Sequence, residues 1–369
     1  MSKYIYDLPD WPRFRWDAAA LNEQLAEVRH RQGWLLGRME GLGFSLRAET
    51  VLNTLTQDIL DSSEIEGEIL DAAQVRSSVA RRLGLDTVAL VPADRSVEGV
   101  VEMMLDATQN YSAPLTAERL FGWHAGLFPT GYSGLRKIKV AAWRDDAKGP
   151  MQVVSGAIGK EHVHYEAPVA SRLKDEMRRF LDWFENGDAF DGVLRAGIAH
   201  LWFVTLHPFE DGNGRIARAL ADMILSRIEK TSQRFYSFSS QIRKERNEYY
   251  GILEQTQKGD LDVTDWLFWF LSCLGRAIHK TDSVLEAVLQ KARFWEQKAA
   301  ASLNSRQKLM VNKLLDGFEG KLTSSKWAKI ARCSQDTALR DIRELLEFGL
   351  LAKDAAGGRS TSYSLTSSK

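Results

Sequence analysis

The chain has 369 residues, 44% hydrophobic and 27% charged, and its 49 Lys+Arg balance 49 Asp+Glu. That length predicts two or three domains, and the even charge excludes an overall field toward nucleic acid or membrane, though not a local patch. Two cysteines, Cys273 and Cys333, exclude a disulfide framework, no Cys/His spacing suits a zinc site, and the usage points to a reducing cytoplasm. The N-terminus has no apolar run, so no signal peptide is expected. The most apolar segment, 266–274, is far shorter than the ~20 residues of a membrane-spanning helix.

Residues 1–16 carry Tyr4, Tyr6, Trp11, Phe14 and Trp16 between Pro9 and Pro12, which reads as an extended segment docked by its aromatic rings. Helical periodicity takes over from 17 to 40 and stops at Gly41 and Gly43. A second helix over 46–66 has Val51, Leu55 and Ile59 on one face, widened by Leu52 and Leu60. It ends Ser62-Ser63-Glu64-Ile65-Glu66-Gly67, with Gly67 in the place of a helix-terminating glycine and Ser62 and Glu66 one turn apart. Further helices are predicted over 72–83, 96–111 and 116–128, the last opened by Thr116 as N-cap. Short strands and a hairpin are expected between 131 and 168, at 137–140, 151–154 and 162–165. Helices follow at 170–185 and 193–206, the second apolar nearly all round and therefore buried. Ile216, Leu220, Met223 and Ile224 mark another buried face, then helices at 243–257 and 262–279 and a polar spacer helix from 282 to 302. Residues 304–369 read as a separate unit of three helices (305–315, 324–331, 335–348) and a two-stranded wing turning at Gly357-Gly358-Arg359, a winged helix-turn-helix.

The chemistry is concentrated in 207–218, His207-Pro208-Phe209-Glu210-Asp211-Gly212-Asn213-Gly214-Arg215-Ile216-Ala217-Arg218. Gly212-Asn213-Gly214 permits a tight turn that points backbone N–H groups at one spot, and the helix starting there adds its dipole. Arg215 and Arg218, one turn apart, supply two planar forks suited to phosphate. Asp211 in such a cradle makes sense as a ligand of Mg²⁺, and His207 at the mouth has the chemistry of a general base. Phe209 reads as the apolar anchor of the turn. The Gly-Lys-Ser/Thr ending of a Walker loop is missing.

This segment resembles the signature of the Fic family, His-Pro-Phe-x-Asp-Gly-Asn-Gly-Arg-x-x-Arg, at every position, and the resemblance extends over roughly 20–275. It implies a mainly α fold: a helical core with a β-hairpin flap. It also implies transfer of AMP from ATP to a hydroxyl of a target protein. Carried over residue by residue, His207 would deprotonate the target Ser, Thr or Tyr, and Asp211 would hold Mg²⁺. Gly212, Asn213 and Gly214 would form the anion hole, Arg215 would neutralise the phosphates and Arg218 would grip the γ-phosphate. The flap around Ser155, Gly156, Val163, His164 and Tyr165 would pin the target as an added strand. Gln241, Tyr249, Tyr250 and Gln257 would surround the adenine, although the family more usually has asparagine where Gln257 stands.

Ser62-x-x-x-Glu66-Gly67 resembles the family's inhibitory motif, here on a helix ahead of the core. In that reading Glu66 pairs with Arg218 and denies it to the γ-phosphate, while Glu64 and Glu68 point elsewhere. The expected domains are 1–110, an N-terminal helical region with the inhibitory motif; 111–280, the catalytic core; 281–303, a linker helix; and 304–369, the winged helix. Twelve Lys/Arg oppose seven Asp/Glu in the last unit, but its helix 335–348 carries two arginines against four acids, so DNA binding is open through the wing (Lys353, Arg359) but not favoured. Alternatives to AMP transfer are AMP removal from targets, or a DNA-binding regulator with a nucleotide-sensing core. A homodimer is the default assembly. His162 and His164 alternate on a strand and share a face, as a flap edge or as a metal pair; His124 and His200 read as core histidines.

Overall fold

The computed structural model describes residues 4–40, 44–85, 91–147, 149–187, 190–297, 303–315, 318, 320–354 and 361–366. The protein is mainly helical and divides into two compact units, Met1–Thr281 and Asp282–Lys369.

The first unit opens on a 3-10 turn, Ile5–Asp7. Its aromatic rings are docked rather than free. Tyr4 and Tyr6 stack on each other and meet Tyr165 edge-on, while Trp11 and Phe14 meet Trp202. Helix α1 (Ala18–Glu40) is followed by α2 (Phe44–Ile65), whose Val51, Leu52, Leu55 and Ile59 are buried as the periodicity predicts. The end of α2 is a Schellman cap. Glu68 N–H bonds Ser63 C=O and Gly67 N–H bonds Glu64 C=O, both at 3.0 Å, with Gly67 at φ +84°. Next come α3 (Ala72–Arg82), α4 (Arg95–Gln109) and α5 (Ala117–Leu127), the last capped by the Thr116 hydroxyl accepting from Arg119 N–H at 3.2 Å.

The β-region is smaller than expected. Strands β1 (Tyr132–Ser133) and β2 (Arg136–Lys137) form a minimal antiparallel pair. The strand expected at 137–140 stops because Ile138 N–H turns back to Gly131 C=O and Ala141 takes φ +56°. Strands β3 (Gln152–Ser155) and β4 (His162–Glu166) form the predicted hairpin, with Val153 opposite Tyr165 and Val154 opposite Val163. His164 is the extra residue of the bulge between those pairs.

Helices α6 (Ala170–Asn186), α7 (Gly192–Leu206) and α8 (Asn213–Glu229) follow. Helix α7 is buried nearly all round, as its composition predicts, and it packs along α8, which is also buried over most of its length. The chemically dense stretch is therefore the turn of a buried helical hairpin. The helix expected over 243–257 is two, α9 (Phe238–Lys244) and α10 (Arg246–Gln257), broken at Glu245. Conversely, α11 (Thr264–Gln297) is continuous where two helices were expected. Lys280-Thr281-Asp282-Ser283 is polar but holds neither Gly nor Pro, and nothing in it stops a helix.

The second unit contains α12 (Ser305–Leu315), α13 (Ser324–Ala331) and α14 (Gln335–Glu347), then the antiparallel pair β5 (Leu351–Lys353) and β6 (Tyr363–Leu365). Its core gathers Met310, Trp327, Ile342, Leu345 and Leu351. The expected turn at Gly357-Gly358-Arg359 lies outside the described residues. Two of the acids on α14 turn inward. Asp341 accepts from Arg306 (2.8 and 3.0 Å) and Asn304, and Glu344 accepts from Gln307 at 2.7 Å. The outward charges of α14 are then Arg340 and Arg343 against Asp336 and Glu347, which is even rather than acidic.

Candidate active site

His207 caps α7 in the left-handed region, φ 47° and ψ 57°. For a residue with a Cβ this costs about 1–2 kcal/mol, so something must hold it. The holder is Arg144, 3% exposed. Its Nε donates to His207 C=O at 2.8 Å, its own N–H donates to Pro208 C=O at 2.9 Å, and its Nη2 donates to Pro168 C=O. No sequence pattern marks Arg144, because a lone arginine in a loop has no periodicity to read. His207 Nδ1 faces Val204 C=O at 3.3 Å. A proton on Nδ1 satisfies that carbonyl and leaves the Nε2 lone pair free. Burial lowers the His207 pKa to about 4, so the ring is neutral and able to accept a proton at pH 7.

Phe209 is fully buried and stacks on His124 at 4.2 Å, which makes it the anchor of the turn. The Asn213 side chain is committed to the same loop. Its Oδ1 accepts from Phe209 N–H at 3.0 Å and its Nδ2 donates to Phe209 C=O at 2.9 Å, so only its backbone N–H can serve an anion. Asp211 Oδ1 accepts from Gly212 N–H at 2.6 Å, and its other oxygen accepts from the Ser133 hydroxyl. One carboxylate and one hydroxyl beside a helix N-terminus suit a Mg²⁺ ion shared with phosphates rather than an all-protein cage. Ser133 is an addition that the sequence did not suggest.

Both arginines of the stretch are occupied by carboxylates. Arg218 is fully buried. Its Nη2 donates to Glu66 Oε1 at 2.8 Å and to Ser62 C=O at 2.7 Å, and its Nε donates to Ser62 Oγ at 2.9 Å. Burial opposes the charge on Arg218, and the neighbouring Glu66 and tyrosine groups, Glu66 first among them, outweigh it together, so the guanidinium stays charged. The Glu66 carboxylate lies so close over Gly214 that a Cβ there would overlap it. Arg215 pairs with Glu68 and lies 5.1 Å from the Phe128 ring centroid. As expected, neither Glu64 nor Glu68 reaches Arg218: Glu64 pairs with Arg243 at 2.7 Å, and Glu68 takes the other arginine of the stretch, Arg215, a contact the sequence did not suggest. Helical spacing does not apply to Glu68, because the Schellman cap ends α2 and folds Glu68 back toward α8.

Two cavities meet at Glu66. One, of about 640 Å³, is lined by His207, Gly214, Tyr249, Tyr250 and Gln257 among others; the second, of about 560 Å³, by Asp211, Arg215, Glu68 and Phe128 among others. Among the described residues a larger cavity of about 820 Å³ lies between α4 and α5 and touches none of the stretch. In the first cavity Tyr249 OH meets His200 Nε2 at 2.9 Å, Tyr250 OH donates to Ile65 C=O at 3.3 Å, and Gln257 Nε2 donates to Thr205 Oγ1 at 3.3 Å. Gln241 does not join them. It donates to Glu245 and lies outside the lining, because α9 is held down on α2 by Asp58 and Asp61, which accept from Ser237 and Ser240.

The hairpin residues separate into two groups. Ser155 and Gly156 are exposed, Val163 and His164 half-buried. Tyr165 is 2% exposed, and its hydroxyl donates to Thr205 C=O at 2.6 Å, so its side chain faces inward and roots the hairpin on α7. His164 Nδ1 meets Glu254 Oε2 at 2.7 Å.

His124 and His200 are core residues, as expected, both fully buried, with pKa values lowered by burial to about 4 and about 3. The unfolded chain binds protons at both below pH ~6.5 and the folded chain does not. Stability is therefore expected to fall by about 3 kcal/mol per pH unit between pH ~6 and ~4.5 from these two groups. Urea unfolding at pH 7 and pH 5 measures it, and substitution of either histidine by an apolar residue should flatten the slope.

Residues 114–225 match the Fic/DOC family, so the chain carries a Fic/DOC domain, and residues 4–85 match a family described as a domain of unknown function, DUF4172. Protein adenylyltransferase fic-1 of Caenorhabditis briggsae is 37% identical over 99 residues, 26% of this chain and 18% of that protein. A uridine 5'-monophosphate transferase of Xanthomonas campestris pv. campestris (strain 8004) is 32% identical over 124 residues, 31% of this chain and 22% of that protein. The chain thus spans about a fifth of the length of these curated relatives. A Fic family protein from Desulfovibrio desulfuricans G20 shares the fold over 97% of this chain and 99% of its own, with a TM-score of 0.55 at 20% identity.

Proposed function

We propose that the protein is an autoinhibited nucleotidyltransferase that moves AMP from ATP to a Ser, Thr or Tyr hydroxyl of a target protein and of itself. The observation that carries this reading is the convergence of three things on the turn 207–214. These are a neutral His207 with a free ring nitrogen, a positive helix N-terminus, and two buried arginines one turn apart. In the proposed reaction His207 takes the hydroxyl proton, the hydroxyl oxygen attacks the α-phosphate and pyrophosphate leaves. The α8 N-terminus and Arg215 stabilise the charge that develops on the phosphates. Asp211 and Ser133 would hold Mg²⁺, which supplies charge neutralisation at the phosphates. The hairpin would receive the target as an added strand. The relatives named for AMP and UMP transfer agree on this class of chemistry and differ in the base, so ATP and UTP should be compared directly. Intact-mass measurement after incubation with Mg²⁺ and each nucleotide tests the proposal: an added 5'-monophosphate on the protein is the expected result.

The resting state we propose is doubly held, by Glu66 on Arg218 and Glu68 on Arg215. Glu68 is more exposed than Glu66 and pairs with an arginine that remains part of the phosphate cradle. Glu68→Gln is therefore expected to raise self-modification by a smaller factor than loss of Glu66, about 3–10-fold, the equivalent of roughly 1 kcal/mol for a partly exposed pair. Rates of nucleotide incorporation in the single and double variants measure it, and additivity of the two effects would argue for separate holds.

A second reading, removal of AMP from modified protein, is favoured by one observation: Glu66 and His207 line the same cavity. It predicts release of AMP from modified target that is lost in Glu66→Gly.

A further inference from the structure

We infer that the hairpin carries a transition-metal site, formed by His162, His164 and Glu254, that can clamp β4 to α10 beside the nucleotide-sized cavity. A zinc ion is the class of ligand it fits. The three side chains are the one group of its kind among the described residues, with one donor atom from each lying within 4.8 Å of the others.

The geometry comes from two elements. His162 and His164 are two apart on β4, so their rings fall on one side of the strand, with centroids 4.7 Å apart. The bulge makes His164 the unpaired residue of the ladder and turns it to α10, where Nδ1 meets Glu254 Oε2 at 2.7 Å. Ser155 Oγ completes the surroundings at 2.6 Å from His164 Nε2. Two imidazoles and one carboxylate form a His₂Glu set, which suits Zn²⁺ with a water in the fourth position. Zinc–ligand bonds of about 2.0–2.2 Å place neighbouring donor atoms a little over 3 Å apart. Only His162 has any distance to close, and it is exposed and free to rotate. The balance is simple. Metal at His164 Nδ1 takes the neutral ring with its one proton on Nε2, where it is donated to Ser155 Oγ, and the His164–Glu254 hydrogen bond is given up for two bonds to the metal. Glu254 keeps its second oxygen on Lys258 Nζ at 2.5 Å, which steadies the carboxylate as a ligand's outer partner does.

The functional content is positional. His164 and Glu254 both line the cavity that also holds His207, Tyr249 and Tyr250. A bound metal would replace one hydrogen bond between hairpin and helix by a three-point attachment, and would fix how far the hairpin stands from α10. The inference does not depend on the transfer reaction, because its first readout is metal binding.

The test is titration of the full chain with Zn²⁺ in competition with a chromophoric chelator. The expected result is one tight equivalent per chain, weakened at least ~10-fold in His162→Ala and in Glu254→Gln. His162 is exposed, so His162→Ala is expected to fold normally, which a thermal melt checks. Limited proteolysis reads the clamp: Zn²⁺ should slow cleavage within the hairpin of the wild-type chain and leave the rate unchanged in His162→Ala. Equal zinc affinity in wild type and His162→Ala would overturn the site. Undiminished binding with equal cleavage rates in the presence and absence of zinc would overturn the clamp.

Discussion

Glu66→Gly is expected to raise nucleotide incorporation by at least ~10²-fold. The reasoning rests on the environment of Arg218. Its guanidinium is fully buried, and Glu66 is the carboxylate that offsets that burial. Removing one partner of a buried, hydrogen-bonded ion pair costs about 3–5 kcal/mol when the other charge is left alone. In the variant Arg218 is left with the Ser62 hydroxyl and carbonyl, which are neutral. An arriving terminal phosphate then recovers the interaction that Glu66 had supplied, and the buried charge becomes affinity for the nucleotide in its productive pose. Self-modification, followed by intact mass at fixed Mg²⁺ and ATP, gives the number. A rate equal to wild type would mean that the Glu66–Arg218 pair is structural. Gly67 should be left unchanged in such work, since its φ of +84° is what ends α2 and aims the two glutamates.

The second large effect is loss of His207. In the Glu66→Gly background, His207→Ala is expected to lower incorporation by ~10²–10⁴-fold, the range for removal of a positioned general base. Nucleotide affinity should change little, because the α8 N-terminus and both arginines remain. Separating the two requires a binding measurement beside the rate measurement. Burial holds His207 neutral well below its ordinary range. The rate should therefore show no loss from pH 7.5 to about 5.5 that can be assigned to this ring. A drop centred near pH 6.5 would mean that the imidazole titrates as if exposed, and that another group takes the proton.

The elements were legible where the pattern was local. Buried helices announce themselves by apolar residues on every face, as α7 does, and a cap such as Thr116 needs only its own hydroxyl and the next turn. The composition of 207–218 also made its parts readable, since each residue type there has a narrow chemistry. What could not be read depended on contacts across the chain. Glu68 reaches Arg215 only because a cap reverses the backbone at Gly67. Asn213 is consumed by its own loop, Tyr165 is drawn into the core by Thr205 and the N-terminal rings, and Arg144 crosses from another loop to hold His207 in an uncommon backbone region. Gln241 followed a resemblance, whereas the grip of α2 on α9 decides where its side chain goes. Periodicity also overcounted breaks: a polar run without Gly or Pro reads as a linker, yet α11 runs straight through it.

The position of Glu66 between the two cavities has a further consequence. In the proposed mechanism the carboxylate is a competitor carried on the same chain as the site it blocks. Its strength is then set by an effective concentration, in the millimolar range for a short tether, and not by how much protein is present. Dilution cannot release it, and a free peptide copying 61–68 could replace a deleted α2 only at comparable, millimolar concentrations. A nucleotide competes with it on those terms as well. Since a monophosphate would need only the cavity of Tyr249 and Tyr250, it should bind the resting chain and its Glu66→Gly variant alike. On the proposed reading a triphosphate would fill both cavities at once, so its affinity should reveal the difference.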